Sequence, residues 1–99
     1  MSNKPLLLIV DDDPLISDAL SYAFAAEFDV VTSHARPHCL ALLRQLRQAP
    51  QVALVDLGLP PQPHRPDEGF ALIGELLAHA PEMKIIVLSG QNGDDNARH

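Results

Sequence analysis

Short apolar runs alternate along the chain with longer segments in which apolar residues recur at helical spacing. The first run, Leu6 to Val10, is too short for an ordinary helix and predicts a strand at about residues 5–10 that is buried on both faces. By the same reasoning, further strands are predicted at residues 29–32, 52–55 and 84–88. Apolar residues at intervals of three and four predict helices over 14–26, from 37 to a point before 50, and over 68–80.

The predicted order is strand, helix, strand, helix, strand, helix, strand. Such alternation implies right-handed crossovers and a parallel sheet with helices on both faces, an α/β class of fold. We expect one domain over residues 1–99, with Phe24, Phe28 and Phe70 in its core. Ligands of such sheets bind beyond the carboxyl ends of the strands, where the strand order reverses.

Acidic residues follow two of the predicted strands. Asp11, Asp12 and Asp13 come directly after the first strand, and Asp56 ends the third. If these strands are neighbours, their carboxylates meet at one edge, where each like-charged pair costs roughly 1 to 4 kcal/mol. A hard divalent cation with oxygen ligands removes that repulsion, and Mg2+ suits two carboxylates plus a phosphate. Asp13 is also placed to cap the first helix, which Pro14 begins.

Composition excludes several classes of protein. The chain has 99 residues, of which 46% are hydrophobic, so a disordered chain is excluded. The net charge of -6, with only seven Lys and Arg scattered along the chain, argues against contact with nucleic acid. A single cysteine, Cys39, fits a reducing compartment. No membrane-spanning run or signal-peptide pattern is visible, and we therefore expect a cytoplasmic domain.

Three segments resemble the signatures of the receiver domain of two-component response regulators. They are residues 8–14 (LIVDDDP), 55–60 (VDLGLP) and 87–90 (VLSG). The order and placement of these segments on the predicted strands make the resemblance specific, and it covers essentially the whole chain. It implies a flavodoxin-like (CheY-like) three-layer sandwich and a phosphoaspartate switch.

The resemblance also implies a role for each matching residue. Asp56 would accept a phosphoryl group from a sensor histidine kinase and would also be a ligand of Mg2+. Asp12 would bind Mg2+ directly. Asp11 would assist through water, the Gly58 carbonyl would be a backbone ligand of the metal, and the Ser89 hydroxyl would donate to a phosphoryl oxygen. Such a domain is a phosphoacceptor and not an enzyme in its own right.

The chain departs from the family at its end. It stops at His99, before the fifth strand on which the family carries a lysine, and the only lysines, Lys4 and Lys84, precede strands one and four. Each is expected roughly 15 Å from the site, at about 3.3 Å per strand residue. We therefore expect a receiver that is truncated after its fourth strand, binds Mg2+ and lacks the lysine with which the family pairs the phosphate. Its first helix and fourth strand would be left uncovered, which favours a homodimer or other self-association.

The stretch from Pro60 to Gly69 is about five residues longer than the family's usual spacing between a proline and a glycine at this place. It contains the run Pro60-Pro61-Gln62-Pro63. This extension resembles receivers of sigma-54-dependent, NtrC-like transcription activators. It predicts that the domain is the N-terminal part of a regulator that controls transcription.

Three alternatives stay open. A degenerate receiver would act only as a protein-interaction module, and the absence of a suitable lysine favours this reading. A Mg2+-dependent hydrolase of the haloacid-dehalogenase kind would use Asp11 and Asp13, but it would leave Asp56 without a role. His34 and His38 have i, i+4 spacing that could bind a metal, although no third ligand is close in sequence.

Overall fold

The computed structural model describes residues 4–62 and 64–88, which form a parallel sheet and three helices. The order and type of all seven predicted elements are confirmed. The elements are β1 (Leu6–Val10), α1 (Pro14–Phe24), β2 (Asp29–Ser33), α2 (Arg36–Gln45), β3 (Val52–Asp56), α3 (Asp67–His79) and β4 (Lys84–Leu88). The sequence also predicts a first turn of helix at residues 94–99, and this segment lies outside the described residues. In the described ranges, no helix has the length and apolar character needed to cross a membrane.

The strand order is β2-β1-β3-β4, and every pairing is parallel. This is the flavodoxin-like arrangement that the sequence predicts. In register, Val10 pairs with both Ser33 and Val55, and Asp56 pairs with Leu88. The carboxyl ends of the four strands therefore lie at one edge of the sheet. The order reverses between β1 and β3, which places the expected binding position beside these two strands.

Two hydrophobic clusters lie on opposite faces of the sheet. On one face, Leu8 and Val10 of β1 pack with side chains of α2 and α3, including Leu43 and Leu72. On the other face, Leu7 and Ile9 pack with α1 side chains. Because both faces of β1 are covered, its whole sequence must be apolar, which explains the continuous run.

Helix α1 begins as predicted. The Asp13 side chain accepts a hydrogen bond from the Leu15 N–H at 3.0 Å, and Pro14 occupies the first turn. The helix ends at Phe24, two residues earlier than predicted, and Ala25 caps it. Leu15 and Tyr22 are 79% and 89% exposed. Among residues 4–62 and 64–88, no element covers these two side chains.

An ion-pair network joins α2 to α3. The Arg36 guanidinium donates to both carboxylate oxygens of Glu75 at 2.8 and 2.9 Å, and it also lies 3.4 Å from Glu68. The hydrogen bonds from Arg36 hold the pKa of Glu75 below its ordinary value. Since Glu68 lies in the first turn of α3, the network fixes the helix that follows the long loop.

Candidate functional site

Three carboxylates converge at the carboxyl edge of the central strands. Asp11 directly follows β1, and Asp56 is the last residue of β3. One carboxylate oxygen from each of Asp11, Asp12 and Asp56 lies within 4.8 Å of the other two. Asp11 is only 4% exposed, whereas Asp12 and Asp56 are partly buried. The convergence predicted from the sequence is thus confirmed.

Backbone amides orient two of these carboxylates. Asp11 Oδ1 accepts a hydrogen bond from the Asp13 N–H at 2.9 Å, and Asp56 Oδ1 accepts one from the Gly58 N–H at 3.0 Å. The Asp11 N–H in turn donates to the Ser33 carbonyl at 3.0 Å, which ties this residue to β2. Among the described residues, the side-chain hydrogen bonds of both carboxylates use Oδ1, and Oδ2 of each has no described donor.

Burial and mutual repulsion disfavour the ionised forms of these groups. Burial raises the pKa of Asp56, and the charges of Asp11 and Asp12 raise it further, against the opposing effect of the Gly58 N–H. Burial is also the main cause of the raised pKa of Asp11, with smaller contributions from the Asp12 and Asp13 charges. A cluster of this kind is stabilised by protons or by a bound cation.

The donor set fits a hard divalent cation. All the side-chain donors are carboxylate oxygens, which Mg2+ and Ca2+ prefer. The Gly58 N–H donates to Asp56, and the carbonyl oxygen is the backbone group of Gly58 that could bind a cation. The lysines lie at the opposite edge of the sheet, as expected. Lys4 Nζ donates to the Ala25 carbonyl at 2.9 Å, and Lys84 pairs with Val52 at the start of β3.

A cavity of about 520 Å³ opens beside Asp11 and Asp12. The sequence gives no sign of this cavity, because its walls come from separate elements. His34 and His38 form part of the wall with their rings 4.6 Å apart, and His38 Nδ1 is hydrogen-bonded to Ser33 Oγ at 2.7 Å. Within the described ranges, the group able to hold a metal contains the three aspartates and neither histidine. The remaining lining residues are Pro14, Ser17, Thr32 and Ser33.

Ser89 and Gly69 complete the account of the site: the first was predicted to act there, and the second was not. Ser89 lies outside the described residues, so its role stays a prediction from the sequence. The sequence marks Gly69 only as the end of the long loop and gives it no role at the site, although its backbone contacts the loop that follows Asp56. The available signal was a glycine close to the start of a helix after a long loop, which is a weak signal on its own.

The raised pKa values predict how pH and Mg2+ act together on stability. Because the pKa values of Asp11 and Asp56 exceed their ordinary value of 3.8, the metal-free folded state binds more protons than the unfolded chain. The two protonated carboxyl groups therefore contribute fully to stability below pH 3.8. This contribution is lost as pH rises through their raised folded-state pKa values. Bound Mg2+ favours the ionised forms. We expect the Mg2+-induced rise in Tm to be largest near pH 7 and to shrink as pH falls toward those values.

Thermal unfolding with and without MgCl2 across this pH range measures the effect. Glu75→Gln is the matched control, because the lowered pKa of Glu75 gives a contribution of opposite sign that is lost as pH falls. This variant should change the pH dependence of Tm but leave the Mg2+-induced difference intact. A Mg2+-induced difference that grows on acidification would contradict the prediction.

Comparisons with known proteins agree with this geometry. The family model described as "Response regulator receiver domain" matches residues 7–99. The chain is 32% identical over 98 residues to the transcriptional regulatory protein AruR of Pseudomonas aeruginosa, covering 95% of this chain. It spans only 38% of the length of that curated relative.

Solved structures with a similar fold include the following two. A response regulator receiver domain protein (CheY-like) from Methanospirillum hungatei JF-1 has a TM-score of 0.73 and 26% identity, covering 97% of this chain and 75% of that one. A response regulator protein from Burkholderia pseudomallei has a TM-score of 0.74 and 25% identity, covering 88% of this chain and 48% of that one. The latter structure is described as containing a phosphorylated aspartic acid, a calcium ion and citrate.

Proposed function

The chain belongs to the response regulator receiver domain family, and we propose that its Asp56 accepts a phosphoryl group from a sensor histidine kinase in the presence of Mg2+. Members of this family are generally phosphoacceptors rather than catalytic enzymes. The observation that carries the proposal is the convergence of Asp11, Asp12 and Asp56 at the switch point of the sheet. The phosphorylated aspartic acid and calcium ion of the Burkholderia protein support the same assignment.

The orientation of Asp56 suits a nucleophile. Its Oδ1 is held by the Gly58 N–H, which leaves Oδ2 to attack the phosphorus atom of the donor. The new bond joins Oδ2 to phosphorus as the phosphorus–nitrogen bond of the phosphohistidine breaks, and the imidazole leaves. Because the reacting groups are both anionic, the repulsion at this edge must be neutralised for the attack to occur.

The remaining residues of the proposed site support this transfer. Asp12 and Asp56 would bind the metal directly, Asp11 would act through water, and the Gly58 carbonyl would complete the protein ligands. Bound Mg2+ would supply charge neutralisation between Asp56 and the transferring phosphoryl group. Ser89 follows Leu88, which pairs with Asp56 in register, and we assign its hydroxyl to the phosphoryl oxygens.

Partners and output are part of the same proposal. We infer a cytoplasmic domain that receives its phosphoryl group from a histidine kinase and makes no direct contact with nucleic acid or membrane. Since AruR is a transcriptional regulatory protein, we further infer a transcriptional output. The NtrC-like assignment of the long loop stays a prediction. The exposed Ile86 and Val87 of β4, at 52% and 42%, support self-association.

Incubation with acetyl phosphate and MgCl2 tests the proposal. We expect the intact mass to rise by one phosphoryl group, with the adduct located on Asp56 by peptide mapping after reductive trapping. Chelation of the metal by EDTA should abolish the adduct, because the carboxylate cluster then repels the donor.

The same experiment separates the alternatives. An adduct on Asp11 with rapid turnover would indicate a haloacid-dehalogenase-like hydrolase. A chain that binds no Mg2+ and forms no adduct would indicate a degenerate receiver that acts as a protein-interaction module. Either result would overturn the proposed function.

A further inference from the structure

The first turn of α3 lies directly against the loop that follows Asp56. Gly69 is buried at the third position of this helix, and its N–H donates to the Leu57 carbonyl at 3.1 Å. A Cβ atom at Gly69 would lie 2.7 Å from the Leu57 carbonyl oxygen and 2.9 Å from its carbonyl carbon, and closer still to its Cα. The helix and the loop thus meet backbone to backbone, with no room for a side chain between them.

The Leu57 carbonyl is held in place by hydrogen bonds. It accepts hydrogen bonds from two N–H groups, that of Gly69 at 3.1 Å and that of Leu59 at 3.0 Å. Leu57 lies between Asp56 and Gly58, and these two neighbours are joined by the hydrogen bond from the Gly58 N–H to Asp56 Oδ1. A shift of the Leu57 backbone therefore moves the phosphoacceptor carboxylate and the Gly58 carbonyl together.

We propose that Gly69 is a positioning residue for the phosphoacceptor site: its missing side chain lets α3 hold the Leu57 backbone where Asp56 and Gly58 can share a metal. The inference rests on the proposed function. The crowding atoms belong to the main chain, which cannot rotate away as a flexible side chain could. Mg2+ demands near-ideal octahedral geometry, and a functional site tolerates displacements of only about 0.5 Å. Crowding at Gly69 therefore weakens metal binding.

Helix α3 offers a matched control. Gly74 lies in the same helix, and a Cβ atom at this position would meet nothing within 4 Å. Gly74→Ala therefore adds the same methyl group to α3 without crowding the loop. It should stabilise the fold slightly, because alanine is the better helix former.

Amide NMR spectra of both variants test the inference, first without metal and then during titration with MgCl2. In the metal-free protein, Gly69→Ala should shift the Gly58 and Leu59 amide resonances well beyond the changes seen in Gly74→Ala. In the titration, Gly69→Ala should bind Mg2+ at least tenfold more weakly than the wild type, whereas Gly74→Ala should match the wild type. A general loss of stability would not by itself produce weaker binding by the folded protein.

Each outcome separates the inference from the proposed function. Suppose that the wild type binds Mg2+. If Gly69→Ala then binds Mg2+ equally well, or if its Gly58 amide resonance is not shifted, the positioning role is overturned and the proposed function stands. If wild type fails to bind Mg2+, the proposed function fails and the inference falls with it. A Gly69→Ala chain that unfolds is measured beside the wild type in trimethylamine N-oxide, which favours the folded state. Failure to fold even there would overturn the positioning role in favour of a purely structural one.

Discussion

Replacement of Asp56 by asparagine is expected to abolish the phosphoryl adduct formed with acetyl phosphate and Mg2+. The side chain keeps its shape and its Oδ1 acceptor for the Gly58 N–H, but the amide supplies no nucleophilic carboxylate oxygen. The same change removes one of three clustered charges. We therefore expect the metal-free protein to become more stable at pH 7, by about 1 kcal/mol, the low end of the repulsion between partly solvated carboxylates. Intact mass and urea unfolding measure the two effects.

Asp13→Asn is the matched control for this substitution. Asp13 is adjacent in sequence to the cluster, but its side chain caps α1 through the Leu15 N–H, and asparagine is an equally good cap. This variant should form the adduct normally. An adduct that persists in Asp56→Asn and disappears in Asp13→Asn would move the reaction to the first acidic segment and refute the assignment of Asp56.

Replacement of Leu72 by alanine is expected to cost about 2 to 5 kcal/mol of unfolding free energy. The Leu72 side chain is fully buried, with 0% exposure, and it packs in the cluster that joins α3 to Leu8 and Val10 of β1. The cavity left by alanine cannot be filled by the neighbouring strands. The total free energy of unfolding of a small domain is only about 5 to 15 kcal/mol, so this single change should remove a large share of the stability.

Phe70→Ala is the control on the same helix. Phe70 was predicted to lie in the core, and this prediction is wrong, because its side chain is 58% exposed. Its truncation should cost less than about 1 kcal/mol, even though more atoms are removed than in Leu72→Ala. Urea unfolding followed by circular dichroism compares the two variants. Equal losses of unfolding free energy in Leu72→Ala and Phe70→Ala would contradict the exposure of Phe70.

The wrong prediction for Phe70 shows that hydrophobic periodicity identifies a helix but does not settle which of its apolar residues are buried. Apolar residues at intervals of three and four predict that 68–80 is helical, and α3 is observed at Asp67–His79. The buried positions of this helix are Gly69, Leu72 and Leu76, and Phe70 lies outside that stripe. The direction in which a helix faces depends on how it crosses the sheet, which its own sequence specifies only in part.

The candidate site was more predictable than the helix faces. Asp11 and Asp56 each end an apolar strand, and the alternation of elements makes those strands parallel. Parallel strands bring their carboxyl ends to one edge, so local patterns predict the convergence of the carboxylates on the condition that the two strands are neighbours. The strand order meets that condition. The raised pKa values could not be predicted in the same way, because burial, their main cause, depends on the surrounding packing.

The amino-acid sequence by itself determined the element order, the parallel α/β fold and the acidic edge, since each depends on residue types at short spacing. Only the tertiary structure decided the ion pairs of Arg36 with α3, the cavity beside Asp12 and the contact of Gly69 with Leu57. The physical reason is that these features join residues from separate elements. Their distances are set by helix crossing and strand register, which no local pattern specifies.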